Sequence, residues 1–219
     1  MPSESYRGRT TGRILFPKRR LEIILERTSP HPSPKESLEQ YTIPAETAAE
    51  VLFLAQAGHG DLEGRKVADL GCGTGRLSIG AALLGAEFVV GVDLDPEAIA
   101  VAVRNGELAG APGIQWAISD ISALRGEFDT VIQNPPFGVR RRGADRKFLV
   151  RALELGRVVY SLHKSDPGGR GFIKRIVERH GGAITHLYQM DMYLPPIFDF
   201  HRERRHRVAV DLYRVVRCA

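Results

Sequence analysis

Cysteine and long apolar runs are both scarce in this sequence. Its two cysteines, Cys72 and Cys218, are too few for a disulfide framework or a cysteine-based zinc site. No apolar run approaches the roughly 20 residues that a membrane-spanning helix needs. The first residues also lack the apolar core and small-residue cleavage site of a secretory signal. We therefore expect a protein of a reducing cytoplasm with no membrane segment.

The chain is too short for two full-sized domains. Its 219 residues, 43% hydrophobic and 26% charged, suit one well-buried globular domain with a small appendage. Residues 1–34 predict a basic N-terminal arm, a short helix and a connector, because TSPHPSP at 28–34 is rich in turn formers. We assign residues 35–219 to a single domain.

Positive charge exceeds negative charge. A net charge of +5 and a pI of about 9.4 favour a polyanionic partner, because basic surfaces release counterions condensed on nucleic acid. The basic residues form three clusters along the chain, which are Arg7, Arg9, Arg13, Lys18, Arg19 and Arg20; Arg140, Arg141, Arg142, Arg146 and Lys147; and Arg202, Arg204, Arg205 and Arg207. An ordinary solvated surface is the alternative for each cluster.

Strand and helix patterns alternate from residue 66 onward. Short apolar or β-branched runs predict strands at 66–70, 88–92, 114–118, 128–132, 157–161, 183–190 and 208–215. Helical spacing predicts helices at 18–27, 46–57, 77–84, 96–108, 146–155 and 171–180. This order predicts an α/β fold with a mostly parallel seven-stranded sheet and helices on both faces. No helix separates the last two strands, so we expect one antiparallel edge strand.

A glycine-rich stretch, DLGCGTG at 69–75, connects the first of these strands to a helix. Glycines at alternate positions let the backbone approach a ligand while the helix start points N–H groups at it, as nucleotide-like ligands require. The dinucleotide fingerprint has its third glycine one residue later, which argues against a dehydrogenase. Asp93 is placed to accept ribose hydroxyls, Asp120 an adenine amine and Asp69 a ligand ammonium. A tight turn without a ligand is the alternative.

The run FDTVIQNPPF at 128–137 begins as a buried strand and is stopped by two prolines, neither of which can donate to a ladder. Proline fixes φ, so Asn134 is held stiffly at the carboxyl end of a strand, where open α/β sheets bind ligands. A rigid polar loop ending in an aromatic ring suits a flat, amine-bearing substrate. The predicted catalytic residues are Asn134, Pro135, Pro136 and Phe137. The alternative is a loop that merely ends a strand.

DLGCGTG, VDLD, SD and NPPF, in this order, resemble class I S-adenosylmethionine-dependent methyltransferases whose NPPF-type motif handles exocyclic amines. LEQY at 38–41, the ADR that follows NPPFG, VYSLH at 159–163 and FHR at 200–202 are similar to the methyltransferase-like protein 5 family of rRNA adenine-N6 methyltransferases. The resemblance covers most of the chain and implies a Rossmann-like methyltransferase domain over 35–219. It implies transfer of a methyl group from S-adenosylmethionine to N6 of an adenosine in small-subunit rRNA, without a metal. A small zinc-binding activator subunit, known for eukaryotic relatives, is a possible partner.

The resemblance also assigns roles to individual residues. Gln40 and Tyr41 are expected to close over the cofactor and its methyl end, although Ile43 stands where family members commonly have threonine, with Thr42 beside it. The remaining expected cofactor residues are Asp69, Gly71, Cys72, Gly73, Asp93, Leu94, Asp120, Ile121 and Asn134. The Asn134 side-chain oxygen and the Pro135 carbonyl are expected to accept the hydrogens of the adenine amine, while Phe137 stacks on the base. The expected RNA-contacting residues are Phe137, Arg140, Arg141, Arg142, His163, Phe200, His201 and Arg202; structural roles are the alternative for His163 and Phe200.

Other acceptors remain open from the residues alone. Related NPP loops serve guanine N2 in RNA and the side-chain amide of protein glutamine. Phe137 and the arginine clusters favour a nucleobase. A rival of another class is a non-catalytic RNA-binding subunit built on a methyltransferase fold. The intact glycine loop, Asp93 and NPPF argue against that rival, because a binder has no need of a cofactor pocket.

Overall fold

The computed structural model describes residues 16–35, 39–137, 143–194 and 206–218. Its seven strands form one sheet in the order β3-β2-β1-β4-β5-β7-β6. The strands are β1 (Lys66–Leu70), β2 (Phe88–Asp93), β3 (Gln115–Ile118), β4 (Phe128–Gln133), β5 (Gly156–Lys164), β6 (Gly182–Leu194) and β7 (His206–Arg217). The predicted seven-stranded α/β fold is confirmed.

The described residues form six α-helices. They are α1 (Lys18–Glu26), α2 (Ala45–Phe53), α3 (Arg76–Leu83), α4 (Pro96–Leu108), α5 (Ala144–Leu155) and α6 (Pro167–Arg179). The predicted helix at 46–57 ends as a π-helical turn over Leu54–Gly58. Among the described helices, none is long and apolar enough to cross a membrane.

The centre of the sheet determines where a ligand site can form. β1 pairs in parallel with β2 on one side and with β4 on the other, so the strand order reverses between β1 and β4. Leu70 pairs with Gln133 in this register, and both residues end their strands. The glycine loop and the NPPF loop therefore leave the sheet side by side.

The two C-terminal strands form the antiparallel part of the sheet. β7 is inserted between β5 and β6 and runs antiparallel to both. The expected antiparallel strand is thus β7, one position in from the edge, and β6 lies outside it. β7 fits there because its apolar side chains are buried on both faces, with Val210, Leu212, Tyr213 and Val215 at most 2% exposed.

Helix α1 belongs to the main core. Leu21 and Leu25 are fully buried and pack in the same apolar cluster as Leu52 of α2 and Ile79 of α3. Burial of both leucines stabilises this cluster by about 2 kcal/mol each. We therefore propose that the folded domain begins at α1 and not at residue 35.

Candidate active site

The glycine loop between β1 and α3 forms a tight turn against β2. The backbone N–H groups of Gly71 and Cys72 both donate to the carbonyl of Val92, at 2.8 and 3.0 Å. Gly75 has a φ of +89°, and a Cβ there would lie 2.6 Å from the Trp116 ring. Only glycine fits that position, because it needs both a left-handed backbone and room for the indole.

Asp93, at the end of β2, faces this loop. Its carboxylate accepts the N–H of Gly73 at 2.8 Å and the N–H of Asp95 at 2.9 Å. The side chain also lines the cleft above the strand ends. A carboxylate offers about four acceptor sites, so about two remain for the hydroxyls of a bound ribose.

The NPPF loop forms the opposite wall of the cleft. Asn134 and Pro136 line it, whereas Pro135 is buried behind them. The Phe137 ring packs on the Tyr41 ring, with centroids 5.7 Å apart and planes tilted by 40°. The loop therefore presents a side-chain amide to the cleft and supports it with an aromatic pair.

The segment 39–43 lies across the cleft between these two walls. Gln40 donates to Asp95 at 2.9 Å, and the Tyr41 hydroxyl donates to the side-chain oxygen of Asn134 at 3.0 Å. The Ile43 carbonyl accepts a hydrogen bond from the buried Arg76 at 2.7 Å. We call residues 39–43 the bridging segment, because it joins Asp95, beside the glycine loop, to Asn134 of the NPPF loop.

Thr42, within the bridging segment, already has a partner. Its hydroxyl accepts the backbone N–H of His31 at 3.1 Å, so it ties this segment to the preceding connector. Thr42 also lines the cleft, and its hydroxyl can donate as well as accept, so a ligand contact from this segment stays an open prediction.

Asp95 is the anchor of the bridging segment. Its carboxylate accepts hydrogen bonds from Gln40, from Lys35 at 2.9 Å and from the backbone of Glu97 at 3.0 Å. Burial would raise the pKa of Asp95, but the hydrogen bonds from Gln40 and Lys35 outweigh it and hold the pKa well below its usual range. The anchor is therefore a carboxylate at neutral pH.

His31 completes the surroundings of Asp95. Its Nδ1 faces the backbone N–H of Ser33 at 3.1 Å and must accept from it. Nε2 then carries the proton in the neutral ring and faces the Asp95 carboxylate at 3.4 Å, a long contact. His31, Asp95 and Glu97 lie close enough to share a cation, but a protonated Nε2 is a donor and not a metal ligand.

The third side of the cleft is formed by the start of α5. Lys147 donates to both carboxylate oxygens of Asp120, at 2.8 and 2.9 Å. These hydrogen bonds, together with those from Ser122, lower the pKa of Asp120 to about 2. Asp120 is thus an ionised acceptor beside a cation. Phe148, one residue further along α5, also lines the cleft.

Asp69 lies behind the glycine loop and is not among the cleft-lining residues described. It is fully buried, and one carboxylate oxygen accepts the N–H and hydroxyl of Ser78 at 3.0 and 2.6 Å. Burial raises the pKa of Asp69 to about 7 despite these bonds. Its observed partner is the start of α3, and a direct contact with a ligand ammonium stays a prediction.

The structure brings the other predicted cofactor residues together. Those that line the one cleft are Gln40, Tyr41, Gly71, Cys72, Gly73, Asp93, Leu94, Asp120, Ile121 and Asn134. The predicted RNA-contacting residues Arg140, Arg141, Arg142, Phe200, His201 and Arg202 lie outside the described residues. Their roles, and those of the cleft residues toward ligands, stay predictions.

His163, predicted on the substrate side, is buried in a polar chain beneath the NPPF loop. Gln133 donates to the Ser161 hydroxyl at 2.8 Å, which leaves that hydroxyl to donate to Nε2 of His163 at 2.7 Å. Burial lowers the pKa of His163 to about 4, so the ring is neutral at neutral pH. In this arrangement the histidine supports the strand ends beside the NPPF loop.

Several cleft residues were not singled out from the sequence. Lys147 was identified only as one member of a basic cluster, and Arg76 and Phe148 carried no motif signal. Asp95 was not singled out either, although its place before Pro96 at the start of α4 is typical of an N-cap. The helix signal did not indicate that the same carboxylate anchors residues more than fifty positions away.

The glycine and NPPF loops lie within a region that matches a known family. The family model of ribosomal protein L11 methyltransferase (PrmA) matches residues 46–135. This stretch runs from α2 through the glycine loop to the first proline of NPPF. The rest of the chain, including Phe137, lies outside that match.

Other proteins are similar over nearly the whole chain. The rRNA N(6)-adenosine-methyltransferase Mettl5 of Drosophila melanogaster is 36% identical over 90% of this chain and 94% of its own. MJ0284 of Methanocaldococcus jannaschii is 38% identical over 92% of this chain and 94% of its own. The crystal structure of PH1948 from Pyrococcus horikoshii superposes with a TM-score of 0.86 at 41% identity, covering 94% of this chain and 100% of its own.

Proposed function

This chain belongs to the METTL5 family of rRNA N6-adenosine methyltransferases, and from that premise we propose that it methylates N6 of an adenosine in small-subunit rRNA. The family resemblance of its motifs is thereby confirmed, and the chain is an S-adenosylmethionine-dependent methyltransferase. The small-subunit target and a cytoplasmic location are parts of the proposal, and the location follows only from the expected rRNA substrate.

The position of Asn134 is the observation that carries the proposal. Because Leu70 and Gln133 pair at the ends of β1 and β4, the Asn134 amide emerges next to the glycine loop that is expected to hold the cofactor. An amine that reaches Asn134 therefore lies beside the methyl donor. Such proximity accounts for a large share of the rate enhancement in group transfer.

The residues present fit the cofactor. Asp93 retains acceptor capacity for ribose, and the glycine loop admits close backbone approach. S-adenosylmethionine, when bound, supplies an electrophilic methyl group on a sulfonium that leaves as a neutral thioether. The protein therefore has to bind, align and exclude water, and it does not have to activate a leaving group.

The remaining chemical difficulty lies in the methyl acceptor, and Asn134 is placed to reduce it. An adenine amine is a poor nucleophile because its lone pair is delocalised into the ring. The side-chain oxygen of Asn134 can accept one N6 hydrogen, which favours the tetrahedral nitrogen that attacks. The N–C bond forms as the S–C bond breaks, and the surplus proton of N6 leaves to solvent.

We propose that the target base leaves its helix to reach the cleft, because an enzyme that modifies a base cannot reach its target atom inside a duplex. The Tyr41–Phe137 pair offers aromatic surface beside Asn134. We propose that Phe137 stacks on the entering base. Extrusion of a base is cheapest in single-stranded or unpaired rRNA, and a bulge or loop is the expected target.

The test is to supply labelled S-adenosylmethionine with deproteinised small-subunit rRNA, large-subunit rRNA, assembled subunits or total protein. Mass spectrometry then identifies the labelled nucleoside or residue. We expect N6-methyladenosine in small-subunit rRNA. Label in N2-methylguanosine, in methylglutamine or in large-subunit rRNA would overturn the corresponding part of the proposal.

Asn134→Ala is the matched enzyme variant for this test. Loss of one transition-state hydrogen bond should slow methyl transfer by about 100- to 1000-fold. S-adenosylmethionine affinity, measured by titration calorimetry, should change by less than about threefold because Asp93 and the glycine loop are intact. A variant that methylates RNA at the wild-type rate would contradict the role of the NPPF loop.

We also propose that a small zinc-binding activator subunit binds at the β3 edge of the sheet. Ile118 of β3 is 59% exposed although it is apolar. β3 pairs with β2 on one side and with no described strand on the other. Ile118→Arg should abolish copurification of the subunit while leaving S-adenosylmethionine binding intact; persistence of the complex would exclude this edge.

A further inference from the structure

The hydroxyl of Tyr41 is bonded to the atom that the proposed reaction needs. It donates to the side-chain oxygen of Asn134 at 3.0 Å. An amide oxygen has two lone pairs, so one is occupied by Tyr41 and one remains for a hydrogen of the target amine. The two donors can therefore bind the same oxygen together.

The backbone alone does not fix the direction of that oxygen. Pro135 restricts the backbone of Asn134, but the terminal torsion of an asparagine side chain is broad and roughly two-fold. A flip would exchange the acceptor oxygen for an NH2 group, which repels the hydrogens of an incoming amine. Within the described residues, Tyr41 is the hydrogen-bond partner of this amide.

Tyr41 is itself held in place. Its ring packs on Phe137, and its neighbour Gln40 is anchored on Asp95. Burial raises the pKa of Tyr41 above the already high value of an ordinary tyrosine, so the hydroxyl keeps the proton that it donates. The donor is therefore preorganised before any substrate arrives.

We propose that Tyr41 is a positioning residue: its hydroxyl holds the Asn134 carbonyl in the orientation that accepts a hydrogen of the target amine. This rests on the proposed methyl transfer and goes beyond the expectation that Tyr41 closes over the cofactor. Because Asp95 accepts from Gln40 while its own N–H donates to Asp93, the hydrogen bonds also connect the carboxylate expected to bind ribose to the catalytic amide.

The test compares Tyr41→Phe with wild type in single-turnover methyl transfer to small-subunit rRNA. The variant keeps the ring that packs on Phe137 and removes only the hydroxyl. We expect the maximal rate to fall by about 10- to 100-fold, while RNA half-saturation and S-adenosylmethionine affinity change by less than about threefold. Tyr188→Phe is the control, because its hydroxyl also has a partner, His59 at 2.7 Å, but lies outside the cleft.

A double variant decides whether Tyr41 acts through Asn134. In the Asn134→Ala background, Tyr41→Phe should cause no further slowing, because the group that it positions is already gone. An equal slowing in both backgrounds would overturn the proposal, and so would a Tyr41→Phe single variant with an unchanged or faster rate. A faster variant would mean that the hydroxyl blocks the amine instead of sharing the oxygen.

Loss of S-adenosylmethionine binding in Tyr41→Phe would also overturn the proposal, since it would assign the hydroxyl to the cofactor. Failure of the wild-type enzyme to methylate any RNA has a different meaning. It would remove the proposed function, and the positioning role with it. A wild type that methylates RNA and a Tyr41→Phe variant that matches it would remove the positioning role alone.

Discussion

At the scale of single residues, Gly71 is where the glycine loop meets helix α5. Its φ is +68°, and a Cβ added there would lie 2.8 Å from Cε1 of Phe148, too close for the ring to stay in place. Phe148 lines the cleft, so its displacement changes the shape of the ligand site. The absence of a side chain at Gly71 therefore has two separable consequences. It permits the left-handed backbone, and it leaves room for the Phe148 ring in the cleft.

Gly60 allows the two consequences to be separated. It has the same φ of +68° but nothing within 4 Å of an added Cβ. Gly71→Ala and Gly60→Ala should both lower the free energy of unfolding by about 1 kcal/mol, the cost of a left-handed alanine. Only Gly71→Ala should weaken S-adenosylmethionine binding, by roughly tenfold, equivalent to about 1.4 kcal/mol. Urea unfolding and titration calorimetry measure the two effects; equal affinities for both variants would contradict the role of Phe148.

Sequence alone predicted the cleft residues whose positions follow from local spacing. The glycines, Asp93 and Asn134 each lie at a strand end, and a strand end is readable from a run of apolar residues that stops. Lys147 and Arg76 were missed as cleft residues because their partners are distant. Lys147 binds a carboxylate 27 positions away, and Arg76 binds Thr28, 48 positions away. No local pattern encodes such pairs.

At the scale of elements, Asp95 combines two tasks that a single variant can separate. It caps α4 through the N–H of Glu97, and it anchors the bridging segment through Gln40 and Lys35. Serine is as good an N-cap as aspartate, but it is uncharged and too short to serve as the same anchor. The two tasks therefore respond differently to Asp95→Ser.

Asp95→Ser should leave the free energy of unfolding within about 1 kcal/mol of wild type, since the cap is kept. Amide exchange in the bridging segment should rise by roughly tenfold, because the Gln40 hydrogen bond to a charged group is lost. Hydrogen–deuterium exchange with mass spectrometry measures this. Asp166→Ser is the control, because Asp166 caps α6 through Gly169 and has no described contact with the bridging segment. Unchanged exchange at 39–43 would show that Asp95 is not its anchor.

Element boundaries were predicted well where hydrophobic periodicity is uninterrupted. The first turn of α6 was missed, because Pro167-Gly168-Gly169 reads as a loop until Asp166 is recognised as the cap of Gly169. The position of β7 was also not readable. A sequence shows that two final strands are adjacent in the chain, whereas their order in the sheet depends on which strand can be buried on both faces.

At the scale of the whole molecule, the cations of the N-terminal arm can be compared with cations at the end of the sheet opposite the cleft. The exposed Arg65, Lys66 and Arg157 lie at the amino ends of β1 and β5, opposite the cleft. Arg7, Arg9 and Arg13 precede the described residues, in the arm that leads into α1. If the arm contacts RNA, its three cations should contribute to the salt dependence of binding and the three distal cations should not.

Deletion of residues 1–15 leaves α1 and its buried leucines whole, so the free energy of unfolding should not change. Loss of three cations that neutralise RNA phosphates should reduce the slope of log K against log salt concentration by about 2, and should weaken binding most at low salt. Replacing Arg65, Lys66 and Arg157 together by glutamine removes the same number of cations and should leave the slope unchanged. Fluorescence titration of small-subunit rRNA over a salt series measures both.

Equal slopes for the deletion and the wild type would assign the arm to the solvated surface. An equal decrease of the slope in both variants would mean that net charge, and not the arm, determines RNA binding.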